Sequence, residues 1–322
     1  MSVIKYIDLF NGLGAFHQAF NQNSNDKIKY ECVFACDINS QVRDIYEENY
    51  CLKPKGDINE INIEKDIPYF DILCAGFPCQ PFSISGKKEG FDNPTQGNLF
   101  FKILEILDKK TPNLFILENV KNLETINNGE TFQRIKTELE KRKYFINYKV
   151  LNAKDFGSPQ SRQRIYIIGS KIKPYVFQNP PYINKNVAQI IDFNNKDYLN
   201  LSEKYDLVKN QNENSHLLYR LINKKTKKGG RQGERVYSIN HSGPTICAQS
   251  GGVGSSTGLY EIEEGKIRGL SIQECLKMFG FPANFKYDTL KDDKLIKKRM
   301  LYFLGNSIVV DVLKYIIKNI EI

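Results

Sequence analysis

Two hydrophobic rhythms alternate along the first 170 residues. Short apolar runs predict strands over Val3 to Leu9, Tyr30 to Ala35, Phe70 to Cys74, Leu114 to Leu117, Tyr144 to Leu151 and Ile165 to Ser170. Between them, a 3.6-residue period predicts helices from about Ala15 to Gln22, Asn98 to Lys109 and Thr131 to Arg142. In the second of these, Leu99, Phe100, Ile103, Leu104, Ile106 and Leu107 share one face. Strands alternating with helices point to an α/β fold around a largely parallel sheet. Beyond Ser170 the rhythm fades. Residues 172 to 230 are rich in Asn, Lys, Tyr and Pro, which places a domain boundary near Pro180-Pro181. Apolar periodicity returns in a short helix from Ser271 to Phe279 and a last one from about Ile308 to Ile320, and no internal repeat is present.

Polar chemistry collects where the apolar strands stop. The Phe70 strand runs through Ala75-Gly76 into Phe77-Pro78-Cys79-Gln80-Pro81 and a serine-glycine loop. Open α/β sheets place ligands and chemistry at such strand ends. Free cysteines are more often small buried hydrophobes, but flanking prolines and a loop position favour a reactive Cys79. The apolar strand Leu114 to Leu117 delivers Glu118-Asn119-Val120 to the same edge, and a carboxylate there needs a partner or a protonation task. Arg162 and Arg164, one residue apart before a strand, point to opposite faces, so one can reach the Cys79 edge; a solvated basic loop is the alternative.

The first strand ends in Phe10-Asn11-Gly12-Leu13-Gly14-Ala15-Phe16, a glycine turn that lets a ligand approach the backbone. His17 breaks the full GxGxxG pattern, and two glycines suit an adenosine ligand without a pyrophosphate. Asp37, after the second strand, is placed for ribose hydroxyls, and Asp57, in Gly56-Asp57-Ile58, for an adenine amino group. Either aspartate could equally be a helix cap or turn residue.

Composition narrows the partners only slightly. At 322 residues, 41% hydrophobic and 26% charged, the chain can bury a full core as one large and one smaller domain. No basic leader and no transmembrane-length run are expected, which suggests a cytoplasmic protein without a membrane partner. Seven cysteines without a CxxC pair, and three scattered histidines, indicate neither a disulfide framework nor a metal site. The net charge of +9 suits nucleic acid, although AT-rich genomes also inflate Lys and Asn. The stretch Lys224 to Arg235 is more specific, combining six basic residues with three glycines. Such a run is commonly a solvated face; glycines among Arg and Gln fit a loop that reads a DNA groove. Ala248 to Ser256 forms a second glycine-rich loop.

DLFNGLGAF (8 to 16), Asp37, Asp57, GFPCQPFS (76 to 83), ENV (118 to 120), QSRQR (160 to 164), RGLSIQECLKMFGFP (268 to 282) and GNSI (305 to 308) occur in the order seen in DNA (cytosine-5)-methyltransferases. The chain resembles that family over nearly its whole length, and most closely the small bacterial enzymes of the HhaI type. The resemblance implies a Rossmann-like S-adenosylmethionine-dependent methyltransferase domain with a smaller target-recognition domain inserted before the C-terminal helix. The implied boundaries are 1–185, completed by 303–322, for the catalytic and cofactor-binding domain, 186–268 for target recognition and 269–302 for a hinge.

By the same resemblance, Cys79 is the nucleophile, Glu118 holds the target ring, Arg164 contacts its O2 oxygen and Arg162 supports the site. The cofactor set is Phe10, Gly12, Leu13, Gly14, Asp37, Ile38, Asp57, Ile58, Pro78, Leu99, Asn306 and Ser307. The set for double-stranded DNA is Gln80, Ser85, Arg231, Gln232, Arg235 and Thr245, with Ser83 to Gly90 as a lid. Lys228 to Ser238 resembles the HhaI-type recognition loop with one residue inserted, which suggests a GCGC-containing site. Ala15 stands where a glycine is common, and Ile38 where a larger aromatic is. A cognate restriction endonuclease would be a genetic rather than a physical partner, and a monomer suffices for the reaction. An RNA-directed member of the same fold and a silent DNA-binding protein are the alternatives. The groove-reading loop argues against the first, and the intact Cys79, Glu118 and Arg164 against the second.

Overall fold

The computed structural model describes residues 2–78, 99–212, 215–248, 252–290 and 295–321. The chain forms two compact units. The first comprises Met1–Leu151, Gln163–Asn179 and Leu313–Ile322, and the second Asn152–Arg162 and Pro180–Val312.

The first unit is built on a six-stranded sheet: β1 (Ser2–Leu9), β2 (Ile28–Cys36), β3 (Ile72–Gly76), β4 (Leu114–Val120), β5 (Phe145–Asn152) and β6 (Gln163–Ser170). The spatial order is β2-β1-β3-β4-β6-β5, with β1 to β4 parallel and β6 antiparallel to β4. After β1 the chain builds outward to β2 and then returns to the other side of β1 with β3. The carboxyl ends of β1 and β3 therefore flank the topological switch point, where open α/β sheets bind ligands. Helices α1 (Ala15–Asn23), α2 (Ser40–Tyr50), α3 (Ile63–Asp66), α4 (Leu99–Lys110) and α5 (Glu130–Glu140) connect the strands. Strands β3 and β4 are apolar without alternation because both faces are covered, and one cluster joins Leu73, Ala75 and Leu117 to Phe100, Ile103 and Leu107 of α4.

Helix α2 is a finding beyond the sequence expectations. Asn39 caps it by accepting from the Val42 N–H at 3.3 Å, and Val42, Ile45 and Tyr46 form its buried face.

The second unit carries a five-stranded sheet, β7 (Tyr205–Lys209), β8 (Leu217–Asn223), β9 (Arg235–Ser238), β10 (Leu259–Glu263) and β11 (Lys266–Arg268), in the order β11-β10-β9-β8-β7. Its strands are antiparallel except for the β9–β10 pair. The region expected to lack rhythm thus contains a sheet, packed on a small cluster of Leu201, Leu221, Val236, Leu259 and Ile267. Helix α6 (Ile272–Met278) is fixed at its start by a capping box between Ser271 and Glu274. Glu274 also forms a bidentate pair with Arg268 at 2.7 and 2.8 Å, both side chains fully buried.

The unit boundaries fall elsewhere than the expected domain limits. Residues 152–162 belong to the second unit because Ser158 donates to the Met278 carbonyl at 2.7 Å and Arg162 bonds to carbonyls of the same unit. The segment 269–302, expected as a hinge, lies within that unit as well. Helices α7 (Ile296–Asn306) and α8 (Val310–Lys318) follow. In the first unit, the α8 segment accepts bonds from Asn23 and Tyr175 at the carbonyls of Lys314 and Ile316.

Ile296–Lys318 is long and apolar enough, by length and composition, to cross a membrane, and 72% of its most apolar window is buried inside the protein. Core helices pass the same test, so this stretch reads as interior packing.

Candidate active site

At the end of β1 the backbone makes a tight turn with Phe10, Gly12 and Gly14 all at positive φ (55°, 50° and 81°). Phe10 is a strained position for a residue with a side chain. The turn is held from β2: the Asn11 N–H donates to the Cys36 carbonyl at 3.1 Å, and the Gly12 N–H to Asp37 Oδ2 at 3.0 Å. Asp37 Oδ1 accepts from the Asn39 N–H at 2.9 Å. Burial raises the Asp37 carboxyl above its ordinary value, while these two N–H donors and nearby Arg43 oppose that rise.

A Cβ placed on Gly12 would meet nothing within 4 Å, so the turn is open on that side. Around it, Ile38 is exposed (76%), Phe10 is half-buried, and Leu13 is buried. Asp57 caps a short turn by accepting from the Asn59 N–H at 2.9 Å, and Ile58 is in the core. Glycine backbone, an exposed apolar side chain and two carboxylates on successive loops fit an adenosine-type ligand.

At the neighbouring strand end, β3 pairs Gly76 with Glu118 of β4. Glu118 is buried (7% exposed), and its Oε1 lies 3.1 Å from Arg164 Nε on β6. Two residues separate them diagonally across the β4–β6 ladder, which pairs Val120 with Arg164. The register thus brings a carboxylate and a guanidinium together beside the segment leading to Pro78, which is exposed. Cys79, Gln80, Ser85 and the expected lid, residues 83 to 90, lie outside the described residues, and Leu99 begins α4 after them.

Three thiols of this unit, Cys32, Cys36 and Cys74, differ from what a nucleophile requires. Burial pushes Cys32 and Cys36 up to about 12 and Cys74 well above its ordinary value. Such thiols stay protonated and inert at neutral pH.

The remaining expected site residues belong to the second unit. Arg162 is buried and donates to the carbonyls of Ile246 (2.9 Å), Gly305 (2.8 Å) and Ser307 (2.8 Å), with its guanidinium 5.2 Å from the Phe279 ring centroid. It organises the end of α7 and its cap, where Asn306 is exposed and Ser307 buried. Gln232 and Thr245 are brought together: Gln232 Nε2 donates to the carbonyls of Thr245 (2.7 Å) and Ser256 (3.0 Å). Arg235 donates through Nε to the Gly230 carbonyl at 2.8 Å, and Arg231 is exposed.

Residues 4–321 match the family described as C-5 cytosine-specific DNA methylase. The chain belongs to that family. It is 37% identical over 321 residues to the type II methyltransferase M.HhaI of Haemophilus parahaemolyticus, covering 98% of this chain and 94% of that one. It is also 38% identical over 324 residues to the type II methyltransferase M.HaeII of Haemophilus aegyptius, covering 98% and 92%. Among solved structures, the Entamoeba histolytica methyltransferase EhMeth is similar with a TM-score of 0.73 at 19% identity, covering 99% of this chain and 98% of that one. That likeness shows a shared fold, the Rossmann-like methyltransferase architecture expected from the sequence.

A further residue of this methylase was not singled out from the sequence. Asn119, buried next to Glu118, donates through Nδ2 to the Phe77 carbonyl at 3.0 Å and accepts from the Val120 N–H at 2.8 Å. It ties β4 to the peptide just before Pro78. The signal was available: an amide at the end of an apolar strand needs buried partners. Among the described residues no group of three or more His, Cys, Asp or Glu side chains could hold a metal ion.

Proposed function

We propose that this methylase transfers a methyl group from S-adenosylmethionine to C5 of a cytosine flipped out of a specific duplex site, as the modification enzyme of a restriction-modification system. The observation that carries the reading is the Glu118–Arg164 pair, 3.1 Å apart, with Glu118 on β4, the strand next to the one that leads to Cys79, and Arg164 on β6 beyond it.

Cytosine C5 is a weak nucleophile until a thiolate adds to C6. The Cys79 sulfur forms a bond to C6, and the displaced ring electrons move toward C5 and N3. Glu118 hydrogen-bonds to or protonates N3, and Arg164 stabilises the charge at O2. S-adenosylmethionine, when bound, supplies an electrophilic methyl group for C5. Loss of the C5 proton and expulsion of the Cys79 thiolate then restore aromaticity. A stacked base cannot reach buried groups at a strand end, so the target must leave the helix.

Phe10, Gly12, Leu13, Gly14, Asp37, Ile38, Asp57, Ile58, Pro78 and Leu99 are assigned to the methyl donor, with Asn306 and Ser307 from the second unit. The open side of the Gly12 turn and the carboxylates of Asp37 and Asp57 support that fit. Gln80, Ser85, Arg231, Gln232, Arg235 and Thr245 are assigned to DNA, with a GCGC-containing target. Reading a base with the Gln232 amide requires release of its bonds to Thr245 and Ser256.

The test is incubation with labelled S-adenosylmethionine and either duplex DNA or transfer RNA. Label is expected on duplex DNA; label on RNA alone overturns the reading. Cys79→Ser is expected to abolish turnover while DNA binding persists, and full methylation by that variant would remove Cys79 from the reaction. Bisulfite sequencing of the methylated DNA reads the site, and a motif without GCGC rejects that assignment.

A further inference from the structure

The turn from Phe10 to Gly14 raises a physical question. Three of its five residues sit at positive φ, and the helix it opens, α1, has no side-chain cap at Gly14. A backbone in that state persists only where its surroundings over-determine it. Part of the hold comes from β2, through Cys36 and Asp37. Those contacts engage Asn11 and Gly12; the Gly14 N–H donates to the Asn11 carbonyl and the Gly14 carbonyl accepts from the Gln18 N–H, both at 2.8 Å, and tying this end to a further element takes one more contact.

The last residue of α2 does this. The Tyr50 hydroxyl lies 3.1 Å from the Gly14 carbonyl and 3.3 Å from the Leu13 carbonyl, and donates to them. Its ring packs so closely on Gly14 that a Cβ there would sit 2.3 Å from Tyr50 Cε2. Gly14 is thus required twice, by its φ of 81° and by the tyrosine against it. Tyr50 is itself held in place. Its ring stacks on His17 at 4.1 Å and 15°, and Tyr46 meets it edge-on at 4.7 Å. His17 Nδ1 is hydrogen-bonded to the Tyr46 hydroxyl at 2.8 Å. One side of the turn is therefore latched to α2, while Gly12 faces open space on the other.

We infer that Tyr50 is a positioning residue for the methyl donor: its hydroxyl presets the Leu13–Gly14 carbonyls so that the open side of the turn meets the ligand without rearranging. This rests on the assignment of the turn to S-adenosylmethionine. A preset turn spares the ligand the cost of ordering it, so the latch acts on affinity rather than on the chemical step.

Tyr50→Phe removes only the hydroxyl and keeps the ring. In the full-length protein, calorimetric titration with S-adenosylhomocysteine should show Kd raised about three- to ten-fold. KM for the methyl donor should rise by a similar factor, with kcat changed less than two-fold. Hydrogen exchange of residues 11–15 without ligand should be faster than in the parent. His17→Leu, which removes the stacked ring and keeps the hydroxyl, should shift Kd in the same direction by less. Unchanged Kd in Tyr50→Phe overturns the inference, whether or not exchange accelerates; so does a fall in kcat at unchanged KM. If the parent protein binds no S-adenosylhomocysteine, the cofactor assignment fails instead, and unchanged exchange at residues 11–15 would show separately that no latch exists.

Discussion

The six-stranded sheet buries all but the last residue of β3 and of β4, whereas β7 of the five-stranded sheet leaves four of its five residues exposed. The contrast extends to the cores. Among the described residues, one large cluster lies under the first sheet and a smaller one, of Leu201, Leu221, Val236, Leu259 and Ile267, on the second. A strand covered on both faces cannot shift without breaking close packing, so what stands at its end is held within tenths of an ångström. Glu118, Asn119 and Gly76 stand at such ends. The second unit adds polar clamps to its apolar contacts, with the Arg268–Glu274 pair and Gln232 joining segments that also bury Ile246, Leu270 and Leu276. The residues assigned to chemistry stand at the ends of buried strands, and those assigned to DNA belong to the unit with the more exposed sheet.

The sharpest way to break this comparison is Glu118→Gln. On the rigid sheet it should lower methyl transfer about a hundred- to ten-thousand-fold while the urea midpoint barely moves. A large loss of stability with a small loss of rate would make Glu118 a structural partner of Arg164 instead.

In the second unit the effect should be on folding. Burial alone would raise the Glu274 carboxyl, but the Arg268 fork and the N–H groups of Ser271 and Asp192 outweigh it and hold the group below its ordinary value. Glu274→Gln leaves the Arg268 guanidinium buried without its counter-charge, at a cost of about 3–5 kcal/mol in urea unfolding. A change under 1 kcal/mol would show that the second unit does not depend on its clamp.

The smallest effect belongs to a polar group under the first sheet. Burial lowers His17 from its ordinary 6.5 to about 4. Between those values the unfolded chain binds a proton that folded His17 refuses, so its contribution to stability is lost as pH falls through that window. The loss amounts to up to roughly 3 kcal/mol. His17→Phe lacks it, so the stability gap between parent and variant should shrink between pH 6.5 and 4 in urea titrations. Asp8, whose buried carboxyl is raised, titrates in the opposite sense. It is present in both proteins, with the Tyr46 hydroxyl between it and position 17.

Legibility in the sequence followed the same division. The strands of the first sheet were readable because burial on both faces leaves unbroken apolar runs, and Glu118 stood out as a carboxylate closing one of them. Helix α2 was not, since Val42, Ile45 and Tyr46 are its sole buried residues and its start depends on a cap at Asn39. Tyr50, at its last position, was therefore out of reach. The second sheet escaped notice because strands such as β7 expose most of their side chains, which blurs the alternation that betrays a half-buried strand. Arg162 shows a different limit. Its spacing from Arg164 put the two on opposite faces without saying which one reaches the Cys79 edge, and its bonds go to the carbonyls of residues 246, 305 and 307, far along the chain.

The first unit is discontinuous, and Leu313–Ile322 belongs to it while everything from Pro180 to Val312 does not. A ribosome therefore delivers the whole five-stranded sheet before the segment whose Lys314 and Ile316 carbonyls meet Asn23 and Tyr175. The unit whose first strands are made earliest thus receives its Leu313–Ile322 segment only after the whole of the second unit has been made.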